Sequence, residues 1–206
     1  MKLKTITLSI LAASSIFAGG DINIIEEKEI EIEIPQKDTS SFYLGIGTSY
    51  INLKSITTDE SFTSLGATLQ VGYKYNSYIG VEARYSQSVG DVAYDKGNTL
   101  FVNTSSYPTT SSNIALYLKP QYPLGDFTLY GLLGYGVIQY TQLPTGTKDR
   151  KESSFQWGLG SEYLVMENIS IFADYSRLYD GVGVDGHIAT HDVYSDIVTI
   201  GISYKF

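Results

Sequence analysis

Residues Asp196–Phe206 read "DIVTIGISYKF". Val198, Ile200, Ile202, Tyr204 and Phe206 fall on one parity, and Thr199, Gly201, Ser203 and Lys205 on the other. Alternation with a period of two is the mark of a strand with one apolar and one polar face. Chain ends commonly fray into polar tails. Here the alternation runs to the last residue and ends on an aromatic side chain, so the stretch reads either as a buried sheet element that happens to close the chain or as an ending that is itself a signal.

The same alternation recurs upstream. Phe42, Leu44, Ile46, Thr48 and Tyr50 share a face, as do Leu69, Val71, Tyr73 and Tyr75. Ile79, Val81, Ala83 and Tyr85 oppose Gly80, Glu82, Arg84 and Ser86; Ile114, Leu116 and Leu118 oppose Ala115, Tyr117, Lys119 and Gln121. The stretch 127–140 alternates less cleanly, because Leu132 and Ile138 fall on its polar parity. Phe155, Trp157, Leu159 and Tyr163 oppose Gln156, Gly158, Gly160 and Glu162; Ile169, Ile171, Ala173 and Tyr175 oppose Ser170, Phe172, Asp174 and Ser176. With the last strand, these segments make eight. Tight turns at Asn76-Ser77, Pro123 to Gly125 and Val165 to Glu167 alternate with long polar connections at 54–61, 90–111, 141–152 and 179–193. That rhythm predicts an all-β, eight-stranded antiparallel up-and-down barrel with both ends of residues 41–206 on the short-turn side.

Alternation alone does not say which face meets solvent, but volume does. An eight-stranded interior is only just wide enough for side chains to fill. The apolar parity carries Phe, Tyr, Trp, Leu and Ile on every strand and would overpack it, whereas the other parity is dominated by Gly, Ser and Thr. The apolar face therefore points outward, toward lipid. Aromatic residues gather beside the short turns (Tyr73, Tyr75, Tyr122, Phe127, Tyr163, Tyr204, Phe206) and toward the long connections (Tyr50, Tyr85, Phe155, Trp157, Tyr175). Two aromatic belts around an aliphatic band suit a bilayer. Inside hydrocarbon every backbone N–H and C=O must pair, so the last strand must pair with the first.

The remaining features agree with export. Residues 1–20 read as a secretory signal: Lys2 and Lys4, an apolar run from Ile6 to Phe17, then Ala18, Gly19 and Gly20. Cysteine is absent, so neither a disulfide framework nor a lipid-anchor thiol is available. Residues 21–40 hold seven acids and no aromatic residue, and read as an acidic periplasmic linker, disordered and ended by Pro35. The chain has 14 Lys and Arg, two of them in the leader, against 22 Asp and Glu. Such a balance excludes a nucleic-acid-binding surface.

The export signal, the meander with short turns, and the closing "ISYKF" resemble the outer-membrane barrels of the OmpA-like, OmpX and opacity-protein type. The resemblance covers residues 41–206. It implies location in the outer membrane with periplasmic termini and extracellular long loops, and contact with outer-membrane lipids, periplasmic chaperones and the barrel insertion machinery. In those families a terminal aromatic strand is what the insertion machinery recognises, which makes Tyr204 and Phe206 the expected insertion signal.

An inward polar parity places Lys74, Glu82, Arg84, Lys119, Glu162 and Asp174 in the lumen, where charges must pair. Arg84 and Asp174 sit at similar depth on opposite strands and are expected to meet. Glu82 is expected to pair with Lys119 or Lys74. In the long connection 90–111, Phe101, Val102 and Tyr107 are the expected contact residues, since binding commonly falls to long loops on rigid scaffolds. His187 and His191 have a metal-like spacing but lie in a connection rather than on a helix, so no metal or other cofactor is expected. His187 or His191 with Ser195 or Asp196 would be the residues for an acyl-transfer site of a lipid A-modifying enzyme, though no motif marks them. The leading expectation is a non-enzymatic structural anchor with interacting surface loops; the alternatives are a narrow pore and that enzyme.

Overall fold

The computed structural model describes residues 40–55, 60–96, 99–102, 110–141, 150–182 and 192–206. The expected leader, the linker, Tyr107, His187 and His191 lie outside them. The strands are β1 (Ser41–Ser55), β2 (Glu60–Lys74), β3 (Ile79–Lys96), β4 (Thr99–Val102), β5 (Thr110–Leu124), β6 (Phe127–Thr141), β7 (Arg150–Met166), β8 (Ile169–Val182) and β9 (Asp192–Lys205). All pairings are antiparallel and join sequence neighbours, except that β3 also pairs with β5, and β9 returns to β1 with Tyr204 opposite Leu44 and Val198 opposite Tyr50. Eight staves thus close into a barrel. Asp196–Lys205 belongs to the stave that closes the ring against β1.

Two of the three tight connections are chemically prepared. The Asn76 carboxamide oxygen accepts hydrogen bonds from the Tyr78 and Ile79 amides at 2.8 and 2.9 Å, an Asx-type turn. Between β5 and β6, Leu124 pairs with Phe127 and Gly125 takes a φ of +68°, as the primed two-residue turns require.

β4 was not expected, and the connection 90–111 is not all loop. β3 continues to Lys96, and β4 folds back on it with Lys96 opposite Thr99 and Ala93 opposite Val102. Only Gly97 and Asn98 separate that first pair, a dipeptide suited to a two-residue hairpin. Phe101 and Val102 therefore stand on a strand. β3 pairs with β5 only as far as Gln87; beyond it, β3 lies between β2 and β4. Among the described residues β4 has one strand neighbour, β3.

The outward face is apolar along every stave. Ile46, Leu69, Leu116, Leu159, Ile200 and their neighbours are exposed, and the aromatic residues Phe42, Tyr75, Tyr122, Tyr163, Tyr204 and Phe206 ring the short-turn end. Polar side chains such as Gln70, Gln156, Ser195 and Thr199 are instead the buried ones. This is a soluble protein turned inside out, the arrangement for lipid outside and side chains within.

Candidate functional site: the lumen and its outer rim

Each inward charge is placed by a strand's period of two. Glu82 and Arg84 are two apart on β3, so they lie on the same face, and the Arg84 Nε donates to Glu82 Oε1. The Arg84 guanidinium also reaches across the ring, donating from Nη1 and Nη2 to the two Asp174 oxygens on β8, each at 2.8 Å. Tyr130 on β6 donates to the same carboxylate at 2.8 Å. On β5, Lys119 donates to Glu82 Oε2 at 2.8 Å, and Tyr43 on β1 donates to that oxygen at 2.5 Å. The Lys119 ammonium lies 4.1 Å from the centroid of the Tyr130 ring and 4.8 Å from that of Tyr43. Aromatic faces thereby replace water around a buried cation. Nearer the short turns, Lys74 pairs with Glu162 at 3.3 Å, and Glu162 lies 4.0 Å from Lys119. The six charged residues therefore form one connected group in which Lys74, Arg84 and Lys119 balance Glu82, Glu162 and Asp174. Lys74 does not reach Glu82; it takes Glu162 instead.

Such burial is tolerable because nearly every lone pair and proton has a partner. An unpaired ion here costs several kcal/mol. Above the ion pairs a second polar layer follows. Tyr117 donates to Gln156 Oε1 at 2.5 Å, and Gln156 and Asn113 exchange hydrogen bonds at 2.8 and 3.1 Å. A hydroxyl ladder Thr199–Ser49–Thr68–Ser86 crosses β9, β1, β2 and β3 at 3.2, 2.5 and 2.8 Å. Toward the long connections the lining turns apolar. Ile51, Leu53, Ile138, Tyr140, Leu178, Tyr179, Val193 and Ile197 form a cluster with Phe62 against it. This is where the imperfect alternation of β6 finds its cause: Leu132 and Ile138 face inward, at 0% and 1% exposure.

Sequence reasoning set Tyr117 and Phe172 on the polar, inward parity and missed the inward rings of Tyr43 and Tyr130. A signal for them existed. Each sits directly across the ladder from a glycine: Tyr43 from Gly72, Tyr117 from Gly134, Tyr130 from Gly160, and Phe172 from Gly201. A Cβ on Gly160 would lie 2.6 Å from the Tyr130 ring, and one on Gly201 2.6 Å from Phe172. The missing side chain is the seat of the facing ring, a pairing that fits large groups into a narrow barrel.

Of the residues considered for acyl transfer, the two described ones, Ser195 and Asp196, do not converge. Ser195 points inward, fully buried, and accepts a hydrogen bond from Tyr140 at 2.9 Å. Asp196, the next residue, points outward, where it pairs with Arg177 at 2.5 Å and accepts from Tyr175 at 2.8 Å. Adjacent strand residues face opposite sides of the wall, so the two cannot serve one site. No cluster of potential metal ligands occurs among the described residues.

A closed, lipid-facing barrel of eight staves meets a matching comparison. The family described as "Outer membrane protein beta-barrel domain" matches residues 27–206. The chain belongs to this family. A 90-residue stretch is 30% identical to outer membrane protein X of Escherichia coli strain K12 and to that of Shigella flexneri, covering 42% of this chain and 47% of each relative. The chain thus spans about half the length of the curated relatives it matches. Among solved structures, neisserial surface protein A aligns with a TM-score of 0.58 at 18% identity, over 81% of this chain and 99% of that one. Ail, the attachment invasion locus protein of Yersinia pestis, aligns at 0.54 and 19% identity with the same coverages. OprG of Pseudomonas aeruginosa aligns at 0.54 and 14%, over 82% and 97%. At these identities the structures speak for the fold. Family membership puts this barrel in the outer membrane, with its exposed apolar band in lipid.

Proposed function

We propose that this outer-membrane barrel is a non-enzymatic structural anchor, closed to solutes, that acts through the rim formed by its long connections. The observation that carries the reading is the side-chain packing of the lumen. The neutral ion-pair group, the Gln156–Asn113 layer and the apolar cluster succeed one another along the interior. A solute would have to separate buried ion pairs and then cross an apolar stretch, and both steps are costly. The narrow-pore alternative gains no support from such packing, and the enzyme alternative loses its residues to opposite faces of β9. What is left for the outside world is the rim.

There β4, with a single strand neighbour among the described residues, supports the interaction reading. An edge strand presents unpaired N–H and C=O groups, and adding a strand to such an edge is a common mode of peptide recognition. Phe101 and Val102, with Tyr107 further along the connection, are the residues proposed for contact. Ail has been solved with the heparin analogue sucrose octasulfate. The long connections 54–61, 90–111, 141–152 and 179–193 hold nine Asp and Glu against five Lys and Arg, which favours a cationic or apolar partner over a polyanion. In this reading the termini are periplasmic and the long connections extracellular. Outer-membrane lipids, the barrel insertion machinery and periplasmic chaperones are its partners in assembly, and Tyr204 and Phe206 carry the insertion signal.

The test combines conductance and topology. Purified protein in planar bilayers is expected to give no discrete current steps; reproducible steps would overturn the closed lumen. Protease added to intact cells is expected to cut within 90–111 or 179–193 and spare the turns at Gly125-Asp126 and Glu167-Asn168. The reverse pattern would overturn the orientation.

A further inference from the structure

Toward the long connections β8 departs from its period of two. Ser176 faces inward, so an unbroken strand would turn Leu178 and Asp180 inward and Tyr179 toward lipid. Instead the β8–β9 register shifts between Arg177, opposite Asp196, and Tyr179, opposite Ser195. Leu178 is the extra residue of a bulge. Leu178 and Tyr179 are both buried, at 2% and 8% exposure, and both belong to the apolar cluster. Asp180 is turned outward, its side chain 69% exposed, and meets Arg177 at 3.3 Å. The bulge thus adds a ring to the cluster and keeps out a carboxylate that would be costly among apolar side chains.

Neighbouring groups hold the bulge in place. The β7–β8 ladder ends at Trp157 opposite Arg177, and beyond it the Ser154 hydroxyl donates to the Leu178 carbonyl at 2.5 Å. On the outer face Arg177 pairs with Asp196 at 2.5 Å and lies 4.5 Å from the centroid of the Tyr194 ring. Gly181 leaves room for the Tyr179 ring, since a Cβ there would lie 3.0 Å from its hydroxyl. Around the rest of the wall, β1 supplies Ile51 and Leu53, β6 Ile138 and Tyr140, and β9 Val193 and Ile197. Together these side chains form a collar. Beneath it runs the hydroxyl ladder, with Ser49 two residues from Ile51 and Thr199 two from Ile197, and the ion pairs follow.

We infer that this collar is the barrier to ions and polar solutes, and that the bulge turning Leu178 and Tyr179 inward together completes it. The inference rests on the closed lumen proposed above and names the layer that closes it. Charged side chains do not exclude ions by themselves, because rings of charge are also how channels select them. An apolar constriction does exclude them, by shedding the water an ion needs. The ion-pair group ties the wall together lower down and is not what keeps ions out.

The chain has no cysteine, so one introduced thiol reports water access without background. Ser86→Cys sets that thiol in the hydroxyl ladder, between the collar and Arg84. A thiol shut away from water in apolar surroundings is inert. With the barrel in lipid nanodiscs and a sulfonated methanethiosulfonate as reagent, Ser86→Cys is expected to stay unlabelled. Adding Leu178→Ser and Tyr179→Ser should label it fully. Ile138→Ser, a separate breach on β6, should do the same and decides the matter if the double change prevents insertion. In planar bilayers, Arg84→Ala/Asp174→Ala with the collar intact should give no current steps. With the parent silent, labelling of Ser86→Cys behind an intact collar would overturn the inference. So would protection that survives the collar changes, or current steps from the ion-pair variant. Steps from the parent itself would instead remove the closed-lumen reading beneath it.

Discussion

Replacing Arg84 by Ala isolates the energetics of the lumen. In the parent, Arg84 makes a bidentate bond to Asp174 at 2.8 Å and a third contact to Glu82, with all three side chains buried. Loss of the guanidinium affects its partners unequally. Glu82 keeps Lys119 at 2.8 Å and Tyr43 at 2.5 Å. Asp174 keeps the Tyr130 hydroxyl at 2.8 Å but no cation among the described residues, so it becomes the stranded charge. Removing one member of a buried pair costs about 3–5 kcal/mol, most of it the price of an uncompensated ion. Removing Asp174 as well restores neutrality. Arg84→Ala/Asp174→Ala should therefore be more stable than the sum of the single changes by about 2–3 kcal/mol, at the upper end of coupling between contacting residues. Equilibrium urea unfolding in lipid vesicles can read this through Trp157, the only tryptophan and one on the lipid-facing surface. The pair Lys74–Glu162, with side chains 19% and 10% exposed, serves as the control. It is less deeply buried and a single 3.3 Å contact, not a bidentate one, so its coupling should be smaller than that of Arg84 and Asp174. Additive losses at Arg84 and Asp174, with coupling below about 0.5 kcal/mol, would refute the reasoning.

Two further outcomes follow from other parts of the wall. Gly160→Ala should destabilise by about 1–3 kcal/mol through collision with the Tyr130 ring and the Asp174 Cβ; with Tyr130→Ala in the same chain one of the two collisions is gone, so the double variant should lose less than the sum of the single changes, and strictly additive losses in the unfolding midpoint would break the ring-and-seat argument. Deleting Phe206, whose amide bonds the Phe42 carbonyl at 2.9 Å and whose ring packs on Tyr204 at 5.0 Å, should lower the yield of assembled barrel in cells far more than the unfolding free energy of barrels already inserted; equal losses would make Phe206 a packing residue only.

How much of this was legible in the sequence depended on which physical rule governed each residue. A period of two is geometric, so the staves and the outward face could be read from parity alone, and volume settled which side met lipid. Depth reasoning set Arg84 against Asp174, and the geometry brings those two together. The link between Arg84 and Glu82 was equally available, since they are two apart on one strand, but attention to partners across the ring passed over it. The β3–β4 hairpin was hidden because polarity in 90–111 masked a four-residue strand behind Gly97-Asn98. The inward rings of Tyr43 and Tyr130 were hidden for another reason. Whether a narrow lumen accepts a large side chain is decided by its neighbour across the ladder, and neighbours depend on register, which a linear pattern does not display.

The irregular alternation of β6 carries the larger consequence. Alternation between apolar and polar residues assumes that the two faces meet different solvents. On most of the wall they do, lipid outside and a polar network inside. On β6 the rule fails at Leu132 and again at Ile138, because the inner face there meets other side chains, with Leu132 packed among Ala115, Tyr117 and Tyr130. A lumen filled with water would penalise both residues, and a lumen filled with protein does not. The departure from pattern is thus a sign in the sequence that the interior is packed. It also limits where this barrel can meet partners. Interior positions are bound by charge balance, ring-and-seat pairing and apolar fit, and outward positions by lipid, which leaves the rim as the part of the chain with freedom to be chemically particular.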